Sequence, residues 1–554
     1  MDDENKVGKM TKKKTFAIFM VLCGSLVTLP PSAGAVTSKL SPVLTFAAGG
    51  ATVGSEDFRL AEVRKIRTEL AHVLPKLERR GGGQKTRATI EVIDCFLCWI
   101  GMDVEKGFAE RADRETDELL KVAREERARL VRVAAGSEND ENGPTYVTSP
   151  VRNSRMQTVA TRRWPDGRTD QGPVFFNGFG HFSLIQQDLA KMPILGNNIL
   201  QTEIGPAWVF PSEDTVNERA LDSFLELARR AARENVQVCL LLSPHYFPDW
   251  AFAKWPEIKD DAGFIKFCIH DPRVREILEK YLRFVIPRIR HLPALHSLCI
   301  SNEAENYEYG KCKVLRREWP KWLAKRFGTV DKMNAKWRTS YASFDQVPIP
   351  EKWSGNKPSA ELVEFARFDR RLFSEFHEWM AGVIRSMAPE IPLHAKIMCQ
   401  NWQWTTPTLI SVDIEDFAAL SDLNGNDCTY WPFPKPDPKC CWGDSVSEWP
   451  LCEIAYDYQR SAAEKPIFNS ENHIIRDREK GYVCGRHVYT ALWQQALHGQ
   501  AMSTLWTWER AYDDGKSDFN GLILERPECL AAWAHCSLDL NRLADRLAPI
   551  QNQE

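Results

Sequence analysis

The sequence lacks several patterns that would place it in a familiar functional class. Its 554 residues carry 72 Lys and Arg against 75 Asp and Glu, a net charge of -3, so no excess of positive charge indicates nucleic acid or an anionic membrane as a partner. No CxxC…CxxC pair and no His-x-His pattern indicates a metal site. No Gly-rich fingerprint follows a predicted strand, as a phosphate-binding turn would require. We therefore expect neither a metal nor an organic cofactor.

Long hydrophobic runs are also scarce. The apolar run Thr15–Leu29 is shorter than the roughly 20 residues that span a membrane. It follows Lys12–Lys14 and precedes the small residues Ala33–Ala35, an arrangement typical of a secretory signal. We expect residues 1–35 to be a signal peptide, the protein to be secreted or periplasmic, and no stable membrane insertion. A retained membrane anchor is the alternative.

The 15 cysteines are scattered along the chain. Many lie inside apolar stretches, where cysteine is typical of a small core residue. Four cluster in a loop-rich stretch and are the best candidates for disulfide bonds in an exported protein: Cys428, Cys440, Cys441 and Cys452.

Tryptophan, in contrast, is abundant, with 19 residues, many of them near the ends of predicted strands. Sugar faces pack on indole rings, although tryptophan is also ordinary core material. One group would extend a sugar groove or simply pack loops: Trp402, Trp404, Trp431 and Trp442.

Residues 36–171 are predicted to form a helical accessory region and a linker. Apolar residues recur at helical spacing from Phe58 to Leu77, and a second helical stretch runs from about residue 89 to 133. Residues 136–172 are polar and rich in Gly, Pro and Asn, which is typical of a linker. The region shows no catalytic signal. Its charged face is explained by solvation, with a docking surface as the alternative.

From residue 172 to 554 the pattern becomes strand, loop and helix, repeated. Eight short β-rich segments alternate with helices, which predicts a parallel sheet in an α/β fold. Eight units are the number in a (β/α)8 TIM barrel, whose active site lies at the carboxyl ends of the strands. An open doubly wound sheet is the alternative, weakened by the missing phosphate fingerprint. The predicted strands are 174–176, 198–204, 236–242, 298–300, 393–398, 421–425, 466–468 and 502–505.

Two of these strands run into a glutamate. The fourth leads into Asn302 and Glu303, and the seventh leads into Glu471. Two carboxylates on separate strand ends suit the cleavage of a glycosidic bond, in which one acid protonates the leaving oxygen and the other attacks. Glu305 and Glu308 compete with Glu303, but the adjacent Asn302 favours Glu303 because an amide there can hold the sugar 2-hydroxyl. The alternative is that each glutamate is a salt-bridge partner at the barrel end.

The sequence after Asn302-Glu303 resembles glycoside hydrolase family 42, the β-galactosidases of clan A. In that family an Asn-Glu acid/base precedes Trp-Leu, an aromatic-Gly-Thr, Leu-Asn, Trp-Gly-Thr and later Arg-Phe. The resemblance extends over about residues 172–547 and implies a barrel fold and a retaining mechanism. It rests on Trp322–Thr329, Met333–Trp337 and Arg367-Phe368, with Arg338-Thr339 in place of the family's Gly-Thr.

By this analogy Glu303 is the acid/base, Asn302 its neighbour on the sugar, and Glu471 the nucleophile. The chain also departs from the family. The run Ile199–Glu203 lacks the strand-two arginine, the zinc-binding cysteines of some members are absent, and the segment after Glu303 is longer than usual. These departures bear on galactose specificity and leave both carboxylates in place.

Four further residues near predicted strand ends are candidates for substrate binding. Tyr430 would orient the nucleophile, and Trp506 would form a platform under the sugar. His245 and Asn177 would bind hydroxyls. Each has an ordinary packing or polar role as its alternative.

We therefore expect a retaining glycoside hydrolase that acts on the terminal β-linked sugars of oligo- or polysaccharides, with β-galactosides favoured. Another clan A enzyme is the first alternative: a β-mannosidase, a β-glucosidase or an endo-glycanase. A catalytically silent carbohydrate-binding barrel is the second. A metal-dependent barrel hydrolase is the third, and the absence of clustered His and Asp at strand ends weakens it.

Overall fold

Three helices open the part of the chain that the structure describes. The computed structural model describes residues 57–180, 183–262, 264–304, 313–350, 359–398, 412–430 and 449–552. Asp57 caps the first helix by accepting the backbone N–H of Arg59. The three helices contact one another and bury apolar residues at helical spacing, which confirms the predicted helical region. They are α1 (Phe58–Glu78), α2 (Gln84–Lys106) and α3 (Ala109–Ala134).

A small antiparallel sheet follows the helices, which corrects the expectation of a linker at residues 136–172. Thr158, Ala160 and Arg162 are buried on alternate positions of its central strand. Arg162 lies buried there because its guanidinium pairs with Asp170 and Asp545. The buried positions of this strand are thus occupied by small and charged residues, where apolar residues are usual. The strands are β1 (Thr145–Tyr146), β2 (Arg152–Ser154), β3 (Gln157–Arg163) and β4 (Thr169–Pro173).

The eight predicted barrel strands are all present, in a parallel sheet ordered β11-β10-β7-β6-β5-β14-β13-β12. The ends of this path meet: the N–H groups of Asp422 and Leu423 donate to Leu393 O, and the N–H of Asp427 donates to Ile397 O. This confirms the (β/α)8 barrel. Its strands are β5 (Phe176–Phe179), β6 (Ile199–Glu203), β7 (Gln237–Leu241), β10 (Leu295–Cys299), β11 (Leu393–His394), β12 (Asn424–Asn426), β13 (Ile467–Asn472) and β14 (Gln500–Leu505).

Helices surround this barrel, and a hairpin of β8 (Lys259–Ala262) and β9 (Ile265–Phe267) extends one of its loops. The helices are α4 (Ser183–Gln187), α5 (Pro206–Val209), α6 (Asp222–Arg233), α7 (Asp249–Lys254), α8 (Pro272–Ile289), α9 (Lys313–Phe327), α10 (Val330–Trp337), α11 (Ala360–Arg385), α12 (Ile414–Leu420), α13 (Trp449–Ala462), α14 (Gly485–Leu497), α15 (Pro527–Arg542) and α16 (Ala544–Gln551).

The inside of the barrel is a packed core that becomes polar toward one end. Phe176, Cys239 and Phe468 belong to its apolar part. His296 and His394 pack among the same rings, and burial lowers the pKa of each to about 3. These two histidines are therefore neutral core residues.

A buried group of charges, which we call the interface cluster, joins the N-terminal helices to the barrel. It consists of Asp103, Arg111, Glu115, Arg510 and Glu525. Arg111 makes two bonds to Asp103 (2.6 and 2.7 Å) and one to Glu525 (2.8 Å). Arg510 bonds to Asp103 and to both oxygens of Glu115 (2.8 and 2.9 Å). The helical region is thereby fixed to the loop that follows β14.

Two expectations about export bear on the described residues. None of the helices searched there is long and apolar enough to cross a membrane. Cys428 and Cys452, two of the disulfide candidates, are buried. Residues 1–35, Cys440 and Cys441 lie outside the described residues.

Candidate active site

A buried lysine joins the ends of β10 and β13 at the carboxyl end of the barrel. Lys396 follows β11 and is wholly buried. Its Nζ donates to Asn302 Oδ1 at 2.7 Å and to Glu471 Oε2. Asn302 directly precedes Glu303, so this ammonium group brings the two sequence-predicted strand ends to one place.

The charge of this lysine is stabilised by the glutamates around it. Burial alone would lower the pKa of Lys396, but the charge and hydrogen bond of Glu471, with a contribution from Glu303, raise it above its ordinary value. Lys396 therefore stays protonated at neutral pH. A cation in direct contact favours the ionised form of Glu471.

His473 lies on the other side of Glu471. Its Nε2 is 3.4 Å from Glu471 Oε1, and its Nδ1 is 3.8 Å from Asp477 Oδ1. Burial opposes a charge on His473, but its hydrogen bond to Glu471 and the charges of Glu471, Asp477 and Asp427 raise its pKa. Glu471 is thus held between two basic groups.

Asp427 supplies a third carboxyl group to the site. It follows β12 in the inward-facing register and is 2% exposed. Burial, followed by the charges of Glu303 and Glu471, raises its pKa well above the usual range, which favours the protonated form of Asp427. Its Oδ1 has no hydrogen-bond partner among the residues that the structure describes.

Glu303 is half-buried and has a backbone φ of 38°. This left-handed conformation is unfavourable for a residue with a Cβ and persists only where the surroundings impose it, often at functional sites. Here it redirects the chain as it leaves β10. The competing candidates Glu305 and Glu308 lie outside the described residues.

A further glutamate lies at the end of β6. Glu203 accepts hydrogen bonds from Ser243 Oγ (2.7 Å) and from the Tyr246 hydroxyl (3.2 Å). Burial, followed by the charges of Glu203 and Glu471, raises the pKa of Tyr246. The charge of Glu471 therefore acts on the Tyr246 hydroxyl, and this tyrosine borders the same mouth.

The structure brings only some of the predicted substrate-binding residues to this mouth. The Trp506 ring stacks against His473, with centroids 5.5 Å apart, and so lies beside Glu471. His245 is buried at the rim between Tyr246 and Phe264.

Asn177 and Tyr430 lie elsewhere. Asn177 follows the inward-facing Phe176 in β5, so its side chain is directed toward the surrounding helices. Tyr430 stacks on Tyr456 of α13 (6.1 Å). Tyr430 is wholly buried in the core behind the strand, and this burial, together with Tyr456 and Cys452, raises its pKa. The group of Trp402, Trp404, Trp431 and Trp442 lies outside the described residues.

Sequence reasoning assigned no role to Lys396, Asp427, His473 or Glu203. Lys396 carried the clearest signal, because a lysine two positions after His394 in an apolar strand must point into the barrel with it. Asp427, His473 and Glu203 also lie at strand ends. Their position therefore carried a signal, but the sequence analysis gave roles only to other polar residues at strand ends. Among the described residues no group of three or more His, Cys, Asp and Glu is arranged to hold a metal ion.

Known proteins with similar sequences include β-galactosidases. A family model described as beta-galactosidase, of glycoside hydrolase family 42, matches residues 180–467, just over half of the chain. The β-galactosidase BgaP of Planococcus sp. strain L4 is 24% identical over 208 residues, 34% of this chain and 30% of the relative. LacZ of Heyndrickxia coagulans is 20% identical over 350 residues, 59% of this chain and 47% of the relative. The chain thus spans from under a third to about half of the length of these relatives.

Solved structures show the same fold. An apo exo-carrageenase of this family from Bacteroides ovatus superimposes with a TM-score of 0.72 at 20% identity, covering 89% of this chain and 70% of that one. A β-galactosidase from Rahnella sp. R3 superimposes with a TM-score of 0.54 at 17% identity, covering 68% of this chain and 57% of that one.

Proposed function

The chain belongs to glycoside hydrolase family 42, and from this membership we propose that it is a retaining glycoside hydrolase that cleaves terminal β-galactosides. The observation that carries the proposal is the bridge made by Lys396, which holds Asn302 and Glu471 together at the barrel mouth. A retaining enzyme needs two carboxyl groups about 5–5.5 Å apart, one protonated and one ionised.

The surroundings of the two glutamates divide these roles. Glu471 contacts the Lys396 ammonium and His473, so it is the ionised nucleophile. The charge of Glu303 acts on Lys396 and Asp427, as that of Glu471 does, so the two glutamates share one site, and a neighbouring negative charge favours the protonated form of an acid. Glu303 is therefore the general acid. The raised pKa of Asp427 favours its protonated form, which reduces the negative charge beside the nucleophile.

The reaction proceeds in two displacements. The Glu471 carboxylate attacks the anomeric carbon, the glycosidic C–O bond breaks, and Glu303 gives its proton to the departing oxygen. The ionised Glu303 then removes a proton from water. The water oxygen attacks the anomeric carbon, which frees the Glu471 carboxylate and leaves Glu303 protonated again.

A second candidate substrate is an oligosaccharide of the carrageenan type. The exo-carrageenase matches 89% of this chain, whereas the β-galactosidase from Rahnella matches 68%. This wider structural match includes more than the barrel and favours a substrate derived from a polysaccharide. In both candidates the same two glutamates carry the reaction.

The test is hydrolysis of a panel of 4-nitrophenyl β-glycosides and carrageenan oligosaccharides, with the product anomer followed by NMR. We expect the β-galactoside to be cleaved with retention, and Glu471→Gln to lose at least about 10³-fold in kcat. The matched control Glu464→Gln removes an exposed carboxylate that pairs with Arg155 and should retain full activity. Inversion of the anomer, or near-native turnover by Glu471→Gln, would contradict the mechanism.

We also propose that the protein is exported. The support is the run of lysines and apolar residues in the first 35 positions. N-terminal sequencing of the mature protein from its native host should begin close to residue 36. A mature protein that keeps residues 1–35 and stays in the cytoplasm would refute the proposal.

A further inference from the structure

Three aromatic side chains stand exposed together at the barrel mouth; we call them the aromatic ledge. Trp208 is 43% exposed, Tyr246 40% and Phe264 36%. The rings of Trp208 and Tyr246 stack, with centroids 5.3 Å apart at 28°, and His245 lies between Tyr246 and Phe264. Exposed apolar rings that lie together, unlike scattered single ones, indicate a binding surface.

The ledge is held rigidly by the backbone below it. Trp208 belongs to α5, directly after β6, and Tyr246 follows β7. The N–H of Ala207 donates to Tyr246 O at 2.9 Å. Gly205 allows this close approach, because a Cβ there would lie 2.5 Å from the Tyr246 Cβ. The two rings are therefore positioned before any ligand arrives, which lowers the entropic cost of binding.

The ledge is also continuous with the candidate active site. The Tyr246 hydroxyl donates a hydrogen bond to Glu203, and the charge of Glu471 contributes to its raised pKa. The strand below it, β7, pairs with β10, the strand that leads to Glu303. The ledge therefore borders the mouth beside the strand that leads to Glu303.

The chemistry of the ledge fits a sugar better than an apolar protein segment. Its flat rings offer faces for the C–H groups of a pyranose, while Glu203 and His245 beside them offer polar atoms to hydroxyl groups. We propose that the aromatic ledge is a subsite for the leaving-group sugar of a β-linked oligosaccharide. This proposal rests on the proposed function, since Glu303 defines the leaving-group side.

The test compares two substrates that differ only in what leaves. β-1,4-Galactotriose places a sugar on the leaving-group side, whereas β-galactosyl fluoride places only a fluoride there. In Trp208→Ala we expect kcat/KM to fall about 10-fold or more for galactotriose and to stay within about 3-fold for the fluoride. Trp208→Phe should recover part of the loss because it restores a ring face. Phe58→Ala, which removes a 75% exposed ring of α1, is the matched control and should leave both values unchanged.

Several outcomes would overturn the ledge proposal. An equal loss for both substrates would show that Trp208 supports the catalytic centre itself, and no loss for either would show that the ledge contacts no sugar. If the wild type cleaved neither substrate, the proposed function would fail instead. Calorimetric titration of galactotriose into the wild type and Trp208→Ala would then decide: an affinity about 10-fold weaker in the variant supports the ledge, and equal affinity or no binding rejects it.

Discussion

Two buried groups of charges in this molecule contain the same number of acids and bases but differ in how completely they are paired. The interface cluster combines two arginines with three carboxyl groups: Arg111 and Arg510 with Asp103, Glu115 and Glu525. The group at the barrel mouth, which we call the mouth cluster, combines a lysine and a histidine with three carboxyl groups: Lys396 and His473 with Glu303, Asp427 and Glu471.

The difference lies in the bases and in the pairing. Arginine keeps its charge and offers a fixed fork of donors, and in the interface cluster these forks bond to both oxygens of Asp103 and of Glu115. In the mouth cluster Asp427 Oδ1 has no hydrogen-bond partner among the described residues, and Glu303 is half-exposed. A closed network stabilises a contact, whereas an open one leaves atoms that a substrate can engage.

The largest expected effect is on stability, at the interface cluster. Arg510→Met should lower the free energy of unfolding by about 3–5 kcal/mol, because Glu115 loses the guanidinium that bonds to both of its oxygens and Asp103 keeps only Arg111. Denaturant unfolding measures this loss. Arg155→Met, which removes the exposed pair with Glu464, is the control and should leave the free energy of unfolding almost unchanged. A variant that stays fully stable but loses activity would show that the interface cluster takes part in catalysis, which would contradict its assignment as a stabilising contact.

The next effect is on rate, at the mouth cluster. Lys396→Met should reduce kcat/KM about 10²-fold, because Glu471 and Asn302 both lose their shared partner. The acidic limb of the pH–rate profile should move to higher pH, since a carboxylate without its cation holds a proton more strongly. A purely structural lysine would change the amount of folded enzyme and leave this limb where it was.

The control for Lys396 is Lys465→Met. Lys465 precedes β13 at the opposite end of the barrel and donates to the carbonyls of Ala418 and Ser421. It should leave the pH–rate profile unchanged. An identical shift in both variants would mean that the shift reports general destabilisation.

The smallest effect is the pH dependence of stability. Burial raises the pKa of Glu115 from its ordinary 4.5 to about 8, against the opposing charge of Arg510. Between these pH values the folded state binds more protons than the unfolded state, so this residue's contribution makes stability fall as the pH rises through that window. Glu115→Gln should flatten the fall in Tm between pH 5 and 8, and the exposed Glu110→Gln in the same helix should not. An unchanged slope in Glu115→Gln would contradict the raised pKa.

The alternation of short apolar strands with helices was sufficient to predict the eight-stranded barrel. The rule that such barrels place polar residues at the carboxyl ends of their strands then located Asn302, Glu303 and Glu471. Trp506 was found by the same rule, because it follows the last strand directly. The barrel prediction is confirmed, because strand parity and strand ends are local properties of the sequence, while the roles of these residues stay predictions.

The rest depended on contacts between distant parts of the chain. Tyr430 follows a strand end as Asp427 does, but only the folded backbone shows that Tyr430 packs on α13 while Asp427 turns inward. The sheet at residues 145–173 was missed because buried Arg162 reads as a surface residue until Asp170 and Asp545 lie beside it. Lys396 was missed because its role depends on a hydrogen bond to Glu471, 75 residues later in the chain, which the sequence does not show.

The central claim is that Glu471 forms a covalent bond to the substrate at the site that Lys396 organises. It can be tested by incubation with 2,4-dinitrophenyl 2-deoxy-2-fluoro-β-galactoside, which slows release of the glycosyl-enzyme, followed by peptide mass spectrometry. We predict one added fluorosugar per chain, on the peptide that contains Glu471, and none in Glu471→Gln. A label on any other carboxylate, or turnover of this reagent without a trapped intermediate and with inversion, would contradict the account.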